Sequence, residues 1–295
     1  MAFKIVTDTS ANLPAPFLKE HGIGVLPFTY TIDGEDHTCF DTEAFEGELG
    51  AKYYAELKAG VRVTTSQINR QAYIEHFTPL LEAGEDVLFI SMSSGISGSF
   101  ASSAVAVEEL KSRFPERKIE AFDTLAASLG EGKAVLRAIE CRDGGMSMEE
   151  TLEALYKERP DLYQVVLLDD LMFLHRGGRV AVHKALIGTV LGIRPLLKGN
   201  TKGELVVFGK AKGRKRALAA LAEKYEALVD RSREQVVCIA YTDCPEDAYA
   251  LRDTLAGIWQ PKDIMVVRYE PVTGSYVGPG TVALFFDGIK NAREY

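Results

Sequence analysis

Four consecutive apolar residues, Val87-Leu88-Phe89-Ile90, lie between Glu85-Asp86 and the stretch S-M-S-S-G-I-S-G-S-F-A-S at 91–102. A short, partly β-branched apolar run bounded by turn residues marks a buried strand. From about residue 99 the period changes: Phe100, Ala104, Val107, Leu110 and Phe114 recur at helical spacing. The serines and glycines therefore occupy a strand-to-helix turn. Such a turn presents unpaired backbone N–H groups and the positive end of a helix dipole, and here hydroxyls as well, which makes it a place for an anion.

The same alternation runs through the first half of the chain. A strand at 3–6 ends in T-D-T-S, where Ser10 or Asn12 would cap a helix with Pro14 in its first turn. Residues 24–32 alternate like one edge strand and turn at Asp33-Gly34. Asp41-Thr42 is expected to cap a helix that runs to about residue 57 and is stopped by Gly60. R-V-T-T-S-Q at 62–67 has too few apolar residues for a core strand. A helix over 72–83 precedes the central strand, and a strand over 118–122 follows it. Asp123-Thr124 is the expected cap of the next helix, which stops at Gly144-Gly145, and Ser147 with Glu150 forms a capping box. This pattern predicts a doubly wound α/β domain with a parallel sheet over residues 1–160. Ligands of such sheets collect beyond the carboxyl ends of the strands. Three of those ends carry hydroxyls or carboxylates: Asp8-Thr9-Ser10, residues 93–99, and Asp123-Thr124.

The second half, 161–295, reads as a mixed α/β domain. Strands are expected over 163–168, 193–197, 205–208, 235–241, 263–268 and 282–286. Helices are expected over 182–191, 212–229 and 245–258, with a short one ending at H-R-G-G-R, 175–179. T-G-S-Y-V-G-P-G at 273–280 reads as a glycine loop.

Several function classes lose weight. A net charge of −8 opposes nucleic acid and anionic membrane surfaces. The four cysteines are scattered without a CxxC pair, and Cys141 and Cys238 fall in apolar patterns, which suits the reducing cytoplasm. No apolar run approaches the ~20 residues of a membrane span, and the strand at 3–6 leaves no room for a signal peptide. Gly95-Ile96-Ser97-Gly98-Ser99 lacks the last glycine of a hydrolase nucleophile elbow. Gly132-Lys133 lacks the rest of a P-loop, and Pro27 breaks any dinucleotide fingerprint after Gly22 and Gly24. The five histidines show no metal-ligand spacing. The balance favours a binder over a catalyst.

Eight short segments, taken in order, resemble one family: V-T-D-T-S-A-N-L (6–13), T-S-Q (65–67), S-S-G-I-S-G-S-F (93–100), Asp123-Thr124, F-L-H-R-G-G-R (173–179), L-G-I-R-P-L-L (191–197), G-R-K-R-A-L (213–218) and V-G-P-G (277–280). The chain is similar to DegV-family proteins, the fatty-acid-binding subunits of bacterial fatty acid kinase. The resemblance implies a long-chain fatty acid in an apolar tunnel, with its carboxylate at the junction of the two domains. A separate ATP-dependent kinase subunit would phosphorylate that carboxylate, and this chain would need neither cofactor nor catalytic residue of its own. By motif, the carboxylate-binding threonine falls on Thr65 and the serine on Ser97. Ser94 in the same loop is a further candidate, and equally a plain helix cap. Tyr276 stands where the family usually has the histidine of H-x-G-P-G, so a phenol offers a hydrogen bond but no positive charge. Ile68 stands where proline is frequent. Arg176 and Arg179 answer a helix C-terminus or form a docking surface for the kinase, as could Arg214 in the basic run 210–216. Alternatives that use the same hydroxyl-rich cleft are a small-molecule transferase or hydrolase and a phosphate-ligand sensor.

Overall fold

The computed structural model describes residues 3–39, 45–180 and 192–295. The central strand seen in the sequence is β6 (Val87–Ser91). With β1 (Lys4–Asp8), β2 (Gly24–Leu26) and β7 (Ile119–Asp123) it forms a parallel sheet in the order β2-β1-β6-β7. Alternate residues of these strands face two helical layers. Val6, Val87 and Phe89 pack on α3 (Arg70–Glu82) and α4 (Ser99–Arg113) through Tyr73, Phe77, Val107 and Leu110. Ile5, Leu88 and Ile90 pack on α5 (Leu129–Asp143) and α6 (Met148–Glu158) through Leu129, Val135, Ile139 and Leu155. The predicted doubly wound domain is present, and the Ser147–Glu150 capping box opens α6.

The stretch 24–32 is two strands rather than one. Pro27 has no N–H to continue a ladder, and the Phe28 N–H donates to Thr9 Oγ1 at 3.0 Å instead. Beyond it, β3 (Thr29–Ile32) joins β4 (Glu35–Thr38) and β5 (Val63–Ser66) in a separate antiparallel sheet, where Tyr30 faces Thr65. The short helix α1 (Ala15–Glu20) precedes β2, and α2 (Glu48–Lys58) connects β4 to β5. The proposed cap Asp41-Thr42 and the proposed helix 182–191 lie outside the described residues.

The second half is built on a six-stranded sheet of β8 (Leu162–Leu167), β9 (Ile193–Gly199), β10 (Leu205–Lys212), β11 (Val236–Tyr241), β12 (Asp263–Arg268) and β13 (Val282–Asp287). Its order is β10-β9-β8-β13-β11-β12, with only β11 and β12 parallel. One face is covered by α8 (Arg214–Leu228) and α9 (Pro245–Ile258). The other face meets α5, which packs at once on β1 and β6 of the parallel sheet and on β8, β11 and β13 of the mixed one. Glycine lets one helix serve both. A Cβ at Gly132 would lie 2.6 Å from the Ala11 carbonyl oxygen, and one at Gly130 would lie 3.1 Å from the Phe285 ring.

Asp123-Thr124 does not cap α5. The Asp123 carboxylate accepts the Ser94 and Leu125 N–H groups at 3.1 and 3.0 Å. The chain then needs a further turn, with Leu125 and Ser128 at positive φ, before the helix begins at Leu129.

Candidate functional site

Where β5, the loop after β6 and the mixed sheet meet lies a cavity of about 310 Å³, at the small end of the range for ligand sites. Its apolar wall includes Met92, Val166, Leu174, Leu205, Val277 and Phe285. The polar part of its lining includes Thr65, Ser66, Gln67, Ser97, Arg179 and Tyr276. An amphipathic cavity of this kind suits a molecule with an apolar body and a polar end.

The polar part is assembled from distant segments. Strand β5 delivers Thr65, whose Oγ1 lies 2.7 Å from Tyr276 Oη, where either oxygen can donate. Ser97 sits in the loop before α4; its Oγ lies 3.0 Å from Ser99 Oγ and accepts the Ser99 N–H at 3.2 Å. Tyr276 is carried by α10 (Pro271–Val277), a helix where a glycine loop is expected. The sequence signal for it lies just upstream. Glu270 is an acidic cap whose carboxylate accepts the Val272 and Thr273 N–H groups, both at 2.6 Å, and Pro271 fills the first helical position. Glu270 is fully buried, and burial raises its carboxyl above the usual range. Cys39, which donates to it at 3.2 Å, is pushed well above an ordinary thiol, by burial first and by the Glu270 charge second.

Arg179 follows α7 (Met172–Arg176) and the glycine pair. Its guanidinium lies 4.4 Å over the Tyr276 ring, and its Nε donates to the Ile96 carbonyl at 3.1 Å. Gly177 is what admits this stack: a Cβ there would stand 2.4 Å from the Tyr276 ring. The positive charge that a phenol lacks is thus present in the lining, on a residue that the sequence reading places on a docking surface. Ile96, Ser97, Arg179 and Leu205 also line an outer groove of about 650 Å³, so they separate the cavity from that groove.

The other candidates lie elsewhere. Ser94 lines the outer groove and not the cavity. Arg176 is exposed, with its guanidinium 4.8 Å over the Phe173 ring. Arg214 is engaged within the fold, by Asp247 at 2.7 Å, by Asp169 at 3.0 Å and by the Gly280 carbonyl. Asp8 turns inward to cap the turn after β1, accepting the Ser10 N–H at 2.9 Å. Among the described residues, no group of His, Cys, Asp and Glu could hold a metal ion, and no helix is long and apolar enough to cross a membrane.

Comparison with known proteins agrees with this architecture. The profile of the DegV family of uncharacterised proteins matches residues 2–288. The chain belongs to the DegV family. A DegV domain-containing protein of Clostridium perfringens is 36% identical over 287 residues, covering 97% of each chain. Among solved structures, a DegV family protein from Thermus thermophilus, described by its fatty acid binding, superposes with a TM-score of 0.86 at 28% identity, over 97% of this chain and 99% of that one. A fatty acid binding DegV family protein from Streptococcus agalactiae gives 0.82 at 27% identity, over 97% and 98%. The two-domain α/β fold of these DegV structures is the one observed.

Proposed function

We propose that this DegV protein binds a long-chain fatty acid in this cavity and presents the carboxylate to a partner kinase that forms the acyl phosphate. The observation that carries the reading is the cavity whose lining joins an apolar wall to a cluster of hydroxyls and a guanidinium. The fatty acid binding described for the Thermus thermophilus and Streptococcus agalactiae relatives supports it. Thr65, Ser97 and Tyr276 are the hydrogen-bond donors for the carboxylate, and Arg179 compensates its charge. The tail dominates affinity: at ~0.8 kcal/mol per buried CH₂, a sixteen-carbon chain gains about 10 kcal/mol before ordering costs. One hydrogen bond contributes about 1–3 kcal/mol. The head group therefore sets register and orientation more than gross affinity.

Ser97 and Arg179 stand between the cavity and the outer groove, so the groove is where a kinase would reach the carboxylate, with Ser94 in its lining. ATP and the phosphoryl-transfer machinery belong to that partner; this chain is a cytoplasmic carrier without cofactor. Its domains divide at 160/161, in the turn between α6 and β8, with the ligand at their interface.

Denaturing mass spectrometry of the freshly purified protein tests the reading. A fatty acid at one equivalent per chain is the expected result. Arg179→Gln should weaken retention of that acid about tenfold, and Tyr276→Phe less. An empty spectrum would overturn the reading, and a phosphorylated metabolite would favour the sensor alternative.

A further inference from the structure

Strand direction locates the end of the cavity that lies farthest from the head-group residues. The carboxyl end of β8 leads into α7, which brings Leu174 and, beyond it, Arg179 to the lining. β13 starts just after α10, which brings Tyr276 and Val277. These two strands are antiparallel neighbours, so the polar end lies at the carboxyl end of β8 and the amino end of β13. Residues two apart in a strand share a face and lie about 7 Å apart. Moving away from the polar end, the cross-strand pairs on the cavity face are Val166–Ala283, then Gln164–Phe285, then Leu162–Asp287. Val166, Gln164 and Phe285 line the cavity, whereas Leu162 and Asp287 do not. The cavity therefore ends at the Gln164–Phe285 pair.

That pair has no room to give way. Both side chains are buried. Gln164 Oε1 accepts the Ala127 N–H at 3.3 Å, and its amide nitrogen packs on Gly199, away from the cavity. A Cβ at Gly130 in α5 would stand 3.1 Å from the Gln164 oxygen and 3.1 Å from the Phe285 ring, so helix backbone backs the pair directly. No apolar space follows it. In the next pair Asp287 holds the buried Lys133 Nζ at 3.2 Å. A methyl group pushed past Phe285 would wedge against that ion pair, and separating buried charges from their partners costs free energy.

We propose that the Gln164–Phe285 pair is the fixed stop of a chain-length ruler, with Phe285 the residue that meets the tail, so that the cavity takes straight-chain acids up to one length and excludes the longer homologues. This rests on the fatty-acid reading of the cavity and deepens it by naming what selects the tail. In an open-ended groove each two further carbons would strengthen binding about tenfold. Against a fixed stop the next two carbons must fold back on the chain or lift the carboxylate off Thr65 and Ser97, and a well-packed wall resists both.

The test is displacement of a fluorescent fatty acid from the delipidated full chain by the even-numbered saturated acids from dodecanoate to docosanoate. In the wild type, competition should strengthen with each step up to one length and then weaken about tenfold or more at the next. Phe285→Leu, which shortens the stop, should move that optimum to a longer acid. Val166→Phe, which fills the cavity one pair nearer the head group, should move it to a shorter one. Shifts of opposite sign separate a stop from a general loosening of the core. Competition that keeps strengthening through docosanoate overturns the inference, and so does an optimum that stays in place in either variant. If Phe285→Leu does not fold, the wild-type series and Val166→Phe decide. If acids compete without any cut-off, only this inference falls. If no acid of any length competes, the fatty-acid reading falls and takes the inference with it.

Discussion

Asp8 and Glu131 are both sealed from water at the carboxyl end of β1, and Ser10 Oγ reaches both, lying 2.6 Å from Glu131 Oε2. Burial lifts Asp8 from an ordinary 3.8 to about 7, against the opposing hydrogen bonds from Ser10, and it raises Glu131 strongly as well. An acid whose folded pKa lies above its unfolded value stabilises the fold in its protonated form. That contribution is complete below about pH 4 and is lost as pH rises through about 7. Asp8→Asn replaces the neutral acid with a neutral amide at every pH. The stability of the wild type relative to Asp8→Asn should therefore fall between pH 4 and 7, by up to about 1.4 kcal/mol per pH unit, and level off above. Urea midpoints of both proteins across that range measure it; a difference that rises with pH would mean that Asp8 is ionised in the fold. At this scale the sequence was partly legible. Thr65, Ser97 and Tyr276 converge on one cavity from segments 32 and 179 residues apart in the chain. Ser94 does not, because its neighbour Ser93 is turned to the Gly203 carbonyl at 2.8 Å and the loop leaves Ser94 on the outer side. Arg179 reads as a surface cation because nothing in its own segment says that Tyr276 lies beneath it.

Among the elements, α5 is the most constrained. Alanine normally improves a helix over glycine by about 1 kcal/mol. At Gly132 the sign should reverse, because the new methyl would press on the Ala11 carbonyl at 2.6 Å, and backbone cannot swing aside as a side chain can. Gly132→Ala should lose about 1–3 kcal/mol, read as a lower urea midpoint with an unchanged slope. An unchanged or higher midpoint would mean that α5 and the turn after β1 are free to part. Helices with strong caps or clear periodicity, such as α4, α6 and α8, were visible in the sequence. The errors fell where tertiary context decides. Pro27 breaks one apparent strand across two sheets. Glu270, buried beneath its own helix, turns a glycine-rich stretch into α10. Asp123 spends its carboxylate on the serine loop and leaves α5 to start five residues further on.

For the whole molecule, the alternation of strand and helix announced the parallel sheet, but the strand order of the mixed sheet was not readable. The pairing of β8 with β13 joins segments more than a hundred residues apart, and no local pattern encodes it. The two halves are joined not only through α5. Arg293 is 3% exposed and donates to the carbonyls of Leu162 at 3.0 Å, Thr124 at 3.1 Å and Leu125. It thereby ties the C-terminal segment to the turn that carries Ala127 into the cavity. Burial lowers this guanidinium to about 10, which still leaves it charged at neutral pH. Arg293→Met would leave three buried carbonyls without a donor, each worth about 1–3 kcal/mol. It should lower the melting temperature by several degrees and speed the loss of bound ligand; an unaltered melting curve would show that water replaces the guanidinium without cost.

The contact of the serine loop with the turn after β9 has a consequence for timing. Ser93 holds the Gly203 carbonyl, and Gly95 lies so close that a Cβ would stand 2.7 Å from the Gly203 backbone. The loop that carries Ser97 thus belongs to one half of the molecule and is latched to the other. On the fatty-acid reading, a lipid leaving past this loop would require the halves to part, and parting breaks that latch. A carrier built this way would govern how long its cargo stays aboard separately from how tightly the cargo is held. A partner docking on the outer side of the loop would then act on the dwell time as well as on the carboxylate.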